Sequence, residues 1–263
     1  MNGSFELVDL LTNNLVAMLL IFARVGSMLF FMPVFSHESI PPLARVFFSV
    51  VVMIVLYPVV PVPDTFPASI PLLELSLYIL KEFLLGFTLG FAANALLSVV
   101  QFAGSFMGRN MGFSEGSLID PLFDEPIDPI GQYQFIIFML IFLMLNGHHF
   151  LIKLISQSFE VAPIGGFQMT GPLLKKLVMT VGKIFVLGLQ YAAPIMAFIL
   201  ITSFAFGIIG RAVPDMNLLI LLLPIKIFIG LVGMVIIFPV LMYFLHLLMR
   251  TFYADLTTIL SLV

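Results

Sequence analysis

Long apolar runs dominate the chain, and polar residues gather between them. A helix needs about 20 mostly apolar residues to cross roughly 30 Å of hydrocarbon. Six stretches meet or approach that length: about residues 15–35, 46–62, 83–103, 135–155, 184–210 and 218–249. The first contains Arg24. The third follows a polar lead with Glu74, Lys81 and Glu82. The fourth passes through Asn146-Gly147-His148-His149, and the last carries one charge, Lys226. These runs are apolar on all sides and do not alternate, which fits spanning helices and not barrel strands. The pattern predicts an all-α, membrane-type fold of about six long apolar helices in hairpins. Pro33, Pro58, Pro194, Pro224 and Pro239 would kink them.

Pro and Gly punctuate the gaps. Residues 36–42 form a connector, and Pro58, Pro61, Pro63 and Pro67 end the second run. Residues 104–129 are the longest polar stretch and hold six charges, five of them acidic. The Gly/Pro-rich residues 163–172 predict a boundary between a part covering 1–170 and a helical hairpin covering 171–263, with its turn at 211–217.

Composition narrows the class. The 263 residues are 61% hydrophobic and 10% charged, too few charges to cover a soluble domain of this size. Net charge is −3 and no basic stripe exists, so no nucleic-acid partner is expected. Cys is absent, which removes disulfides and thiol chemistry. The N-terminal MNGSFELVDLL has two acids and no base, so no cleaved secretory signal is expected. Trp is absent and only six Tyr are present, a thin aromatic belt for a protein bathed in lipid. With six spans, Lys81, Lys153, Lys175, Lys176 and Arg250 fall on one side and Arg45, Arg109 and Arg211 on the other, too small a split to orient the chain. Thin belt, weak charge bias and many breakers all fit helices surrounded by other protein subunits.

Chemistry-bearing constellations are missing. The four His lack metal-ligand spacing, and the adjacent His148 and His149 would point about 100° apart on a helix. No G-x-S-x-G elbow, P-loop or G-x-G-x-x-G occurs. No enzyme activity, cofactor or metal is expected. Arg24, Lys183 and Lys226 lie inside apolar runs, where a charge facing lipid costs at least ~2.5 kcal/mol. Either they snorkel or pair with a neighbour, or they face a water-filled path or a partner subunit. The segment 104–116, GSFMGRNMGFSEG, interleaves Phe106, Met107, Met111 and Phe113 with Gly104, Gly108, Gly112 and Gly116. Deformable apolar bulk between permissive glycines suits two roles: a strip that closes a pore by excluding water, or a buried loop packed on other helices. On these residues alone, a secondary transporter with Pro-broken helices also stays open.

An ordered set of motifs resembles a known family over nearly the whole chain. It runs through Ala23-Arg24-Val25, Pro33-Val34-Phe35, Ile40-Pro41 with Arg45, and Glu82-Phe83-Leu84-Leu85-Gly86-Phe87. It continues through Met111-Gly112-Phe113, Asp120-Pro121, Asn146-Gly147-His148-His149 and Pro163-Ile164-Gly165. It ends with Ala192-Ala193-Pro194, Gly207-Ile208-Ile209-Gly210-Arg211, Pro214-Asp215-Met216-Asn217 and Pro224-Ile225-Lys226. These resemble the FliR/SctT family of type III export gate proteins. The resemblance implies about one copy of the chain assembled with FliP and FliQ subunits, alongside other export gate proteins, in a pseudo-helical channel. That channel passes unfolded flagellar proteins, or virulence proteins in SctT-type systems. It implies insertion as inner-membrane helices in contact with lipid, then a place within the flagellar basal body protruding toward the periplasm. It implies a FliP-like part at 1–170 and a FliQ-like hairpin at 171–263. It also implies a pore plug formed by Phe106, Met107, Met111 and Phe113, hinged at Gly104, Gly108, Gly112 and Gly116. Arg24 and Lys226 would face partners or the lumen.

Overall fold

The computed structural model describes residues 2–33, 35, 40–61, 71–113, 128–212 and 218–263, with side chains described from Asn14 to Arg211 and from Leu222 onward. Seven helices follow in order: α1 (Asn2–Phe31), α2 (Pro42–Leu56), α3 (Leu72–Met111), α4 (Pro129–Met144), α5 (Gly147–Val161), α6 (Gly171–Ala212) and α7 (Leu218–Ser261). Among the described residues there is no strand. Four helices are long and apolar enough to cross a membrane, and α4 with α5 forms a fifth, broken candidate bent by 66°. The all-α, membrane-type fold is as expected. The second expected run is a short helix of 15 residues, below a full span.

Local chemistry explains the boundaries. Pro41 precedes α2 and Pro42 occupies its first turn, where a missing N–H costs nothing. Asp128 caps α4 by accepting the Gly131 N–H at 2.9 Å, and Pro129 begins the helix. Thr170 caps α6 by accepting the Leu173 N–H at 3.3 Å. The fourth expected span breaks at Asn146, a left-handed residue with φ 57° and ψ 31°. A β-branched side chain would be strained there; Asn is tolerated. Pro194, Pro224 and Pro239 all lie inside helices, so the three prolines do not end them.

The helices are longer than the apolar runs suggest. α3, α6 and α7 have 40, 42 and 44 residues. At 1.5 Å per residue that is roughly 60–66 Å, about twice the hydrocarbon thickness. Of the most apolar stretch in α6 and in α7, only 22% is buried within the chain, against 67% in α3.

The chain divides into two compact units that interleave along the sequence. One comprises residues 1–95, 145–180 and 252–263. The other comprises 96–144 and 181–251. In the first, one face of α1 (Leu20, Ile21, Val25, Met28) and residues Leu85 and Leu89 of α3 are fully enclosed. In the second, Val100, Ala103 and Met107 of α3, Phe138 of α4, Ile195 of α6 and Leu245 of α7 are enclosed. Both cores are apolar with a few buried polar side chains, which need internal partners.

Candidate functional site

The end of α3 carries the Met/Phe segment. It is helical through Met111, which corrects the expectation of an irregular loop. Phe102 stacks on Phe106 with ring centres 6.2 Å apart, one turn along the same helix face. Gly104 and Gly108 are also four residues apart, and they serve as a contact surface for α4. A Cβ at Gly104 would stand 2.7 Å from the Gly131 Cα, and one at Gly108 would stand 3.1 Å from the Ile130 Cβ. Small residues at this spacing let two helices approach closely. The expectation that Gly104 and Gly108 act as loop hinges is corrected accordingly.

The helix ends at Gly112, whose φ of 97° favours glycine. The Gly112 N–H donates to the Arg109 carbonyl at 3.1 Å, and the Phe113 N–H to the Gly108 carbonyl at 3.1 Å. These are the two bonds of a Schellman cap. Gly116 lies outside the described residues, as does the rest of 114–127.

The four aromatic and methionine residues have different surroundings. Met107 and Met111 are fully buried. Met111 lies against α7, where a Cβ at Gly230 would stand 2.5 Å from its Cε. Both are core residues, whereas Phe106 and Phe113 are partly exposed. Phe113 lies at the edge of a cavity of about 590 Å³ between α4 and α7, lined also by Ile130, Tyr133, Gln134, Leu231 and Val235. Gln134 is buried and accepts the Tyr191 hydroxyl at 2.8 Å.

Arg24 does not face a partner or a lumen; the ion-pair alternative holds. It is 1% exposed and donates through Nε to Glu82 Oε2 at 2.5 Å. Its Nη1 donates to the carbonyls of Ser158 and Ala162 at 2.8 and 2.9 Å, and its guanidinium lies 4.0 Å above the Phe159 ring. Glu82 is fully buried, and its Oε1 accepts the Gly165 N–H at 2.7 Å. The pair therefore joins α1, α3, the end of α5 and the turn after it. The positive ion faces the carbonyl end of α5, where the helix dipole favours it. Glu82 is the residue that sequence reasoning missed; the signal was an acid at the edge of one apolar run and an Arg inside another.

Lys226 is half-buried on α7, two residues after Pro224, with no ion pair among the described residues. His148 and His149 sit at the α4–α5 elbow with ring centres 4.2 Å apart, and His149 Nδ1 lies 3.2 Å from Asn146 Oδ1. Among the described residues no three His, Asp or Glu come together as metal ligands.

Residues 15–252 match the family model of bacterial export proteins, family 1. The flagellar biosynthetic protein FliR of Bacillus subtilis is 30% identical over 229 residues, covering 84% of this chain and 85% of the relative. The proteins of the same name from Escherichia coli and Aquifex aeolicus are each 26% identical, over 82% and 86% of this chain and of the relative's own length. With a match that runs from α1 into α7, the chain belongs to the bacterial export proteins, family 1.

Proposed function

We propose that this chain is the FliR-type subunit of a flagellar type III export gate, a non-catalytic wall and plug of a protein-conducting channel in the inner membrane. The carrying observation is likeness over 82–86% of both chains to three relatives named flagellar biosynthetic proteins. That naming favours a flagellar over a virulence system. FliP and FliQ subunits are the partners, with about one copy of this chain per assembly. Other export gate proteins join them in the basal body. The length of α6 and α7 and their bare apolar faces support burial against sister subunits in a body that protrudes from the bilayer toward the periplasm.

Within that body the FliP-like part is 1–170 and the FliQ-like hairpin is 171–263. The start of α6 at Gly171 supports this division. It concerns the likeness of segments, whereas the two compact units record packing and cut α3, α6 and α7. Phe113 and Phe106 are the apolar closure, with Met107 and Met111 as the packed base on which that closure stands. Displacement turns on Gly112, which already holds a conformation other residues avoid. Lys226 faces a partner subunit or the aqueous path. No step of bond-making chemistry is assigned to any residue.

Affinity purification of a tagged chain from its own cells tests the reading. Two different small membrane proteins should accompany it in fixed ratio. A chain that purifies alone or as a homodimer would favour a secondary transporter and overturn the proposal.

A further inference from the structure

Asp128 has more partners than a helix cap needs. Its Oδ1 accepts the Gly131 N–H at 2.9 Å, which completes the first turn of α4. Its Oδ2 accepts the hydroxyl of Ser105 on α3. The same carboxylate abuts Gly108: a Cβ there would stand 3.4 Å from Asp128 Oδ1. Gly108 is the residue whose carbonyl receives the Phe113 N–H in the cap of α3. One carboxylate thus ties the start of α4 to the last turns of α3, beside the backbone that sets Phe113. The fit is close, since a Cβ at Gly131 would stand 2.8 Å from the Ser105 Oγ.

Ser105 also has a second acceptor. Its hydroxyl lies 2.9 Å from the Gln101 carbonyl on its own helix. A serine has one O–H to donate, so it serves Asp128 or Gln101 at any moment. When the hydroxyl turns to Gln101, the link between the helices is released and no donor is left unpaired. Asp128 Oδ2 gives up its donor in that second state, so the linked state is the better satisfied and the released one lies about one hydrogen bond above it.

We infer that Asp128 and Ser105 are positioning residues of the gate: their bond holds the end of α3 so that Phe113 closes the pore, and its transfer to Gln101 lets Phe113 move. The inference rests on Phe113 being the plug. Asp128 acts through Gly108 and the cap, without touching substrate.

The test is ion leak through the complete complex, with assembly checked by co-purification. Ser105→Ala removes the link while leaving the cap of α4 in place. Leak should rise about five- to tenfold, the shift expected of a two-state equilibrium that loses one hydrogen bond of ordinary worth. Ser105→Thr, which keeps the hydroxyl, should bring it back down. Asp128→Ser keeps a capping oxygen but is too short to bridge both partners, and should leak like Ser105→Ala. In a Phe113→Ala background, Ser105→Ala should add nothing further, because both act on one closure. Tight Ser105→Ala and Asp128→Ser complexes beside a leaking Phe113→Ala complex would overturn the clasp alone. So would leaks that add independently. A tight Phe113→Ala complex would overturn the plug itself.

Discussion

Removing either partner of the Arg24–Glu82 pair leaves a full charge enclosed among apolar side chains. Arg24→Leu or Glu82→Leu should destabilise the chain by about 3–5 kcal/mol, read as a lower unfolding temperature in detergent. The swap Arg24→Glu with Glu82→Arg should not restore it. Position 24 also meets the Ser158 and Ala162 carbonyls, and a carboxylate there would face two more acceptors. Full rescue by the swap would show that the two ions matter only to each other. The pair was half legible: the cost of a lone charge in an apolar run follows from residue type. Its partner lies 58 residues away in a polar lead, and nothing local pairs the two positions. Phe113 makes the other residue-scale prediction: Phe113→Ala should raise resting ion conductance of the complex, and unchanged conductance would remove the plug assignment.

At the scale of the element, apolar length predicted the helices well and their ends poorly. Residues 104–111 look like a loop because glycine is read as a breaker. Spacing decides otherwise: Gly104 and Gly108 share one face with α4 against it, and Gly112 alone stops the helix. Gly104→Val should therefore jam α3 against α4, since its Cβ would stand 2.7 Å from the Gly131 Cα. The expected outcome is loss of assembled complex on size-exclusion chromatography. The 66° elbow between α4 and α5 is the second case. The apolar residues on both sides read as one span, and the polar Asn146-Gly147-His148-His149 inside it marks the break. Asn146→Gly should be neutral in a thermal melt. Asn146→Val should cost on the order of 1–2 kcal/mol, because a β-branched residue resists a left-handed backbone.

At the scale of the whole molecule, the membrane class was plain in composition, and the motif set carried the family. Partner contacts were not legible, because an exposed apolar face looks the same whether lipid or protein covers it. Lys226 offers a way to separate them. Lys226→Leu should impair export or assembly more than Lys153→Leu, which alters an exposed position on α5. Equal motility and equal recovery of the complex would leave Lys226 without a special role. The hairpin of α6 and α7 sets a condition on biogenesis as well. Helices of roughly 63–66 Å outrun the oily slab that first receives them, and the rest of the chain leaves most of their apolar surface uncovered. Such a molecule has a short life unaccompanied. Companions must arrive before quality-control proteases do, so cells that make this chain in excess of its companions should hold no surplus of it.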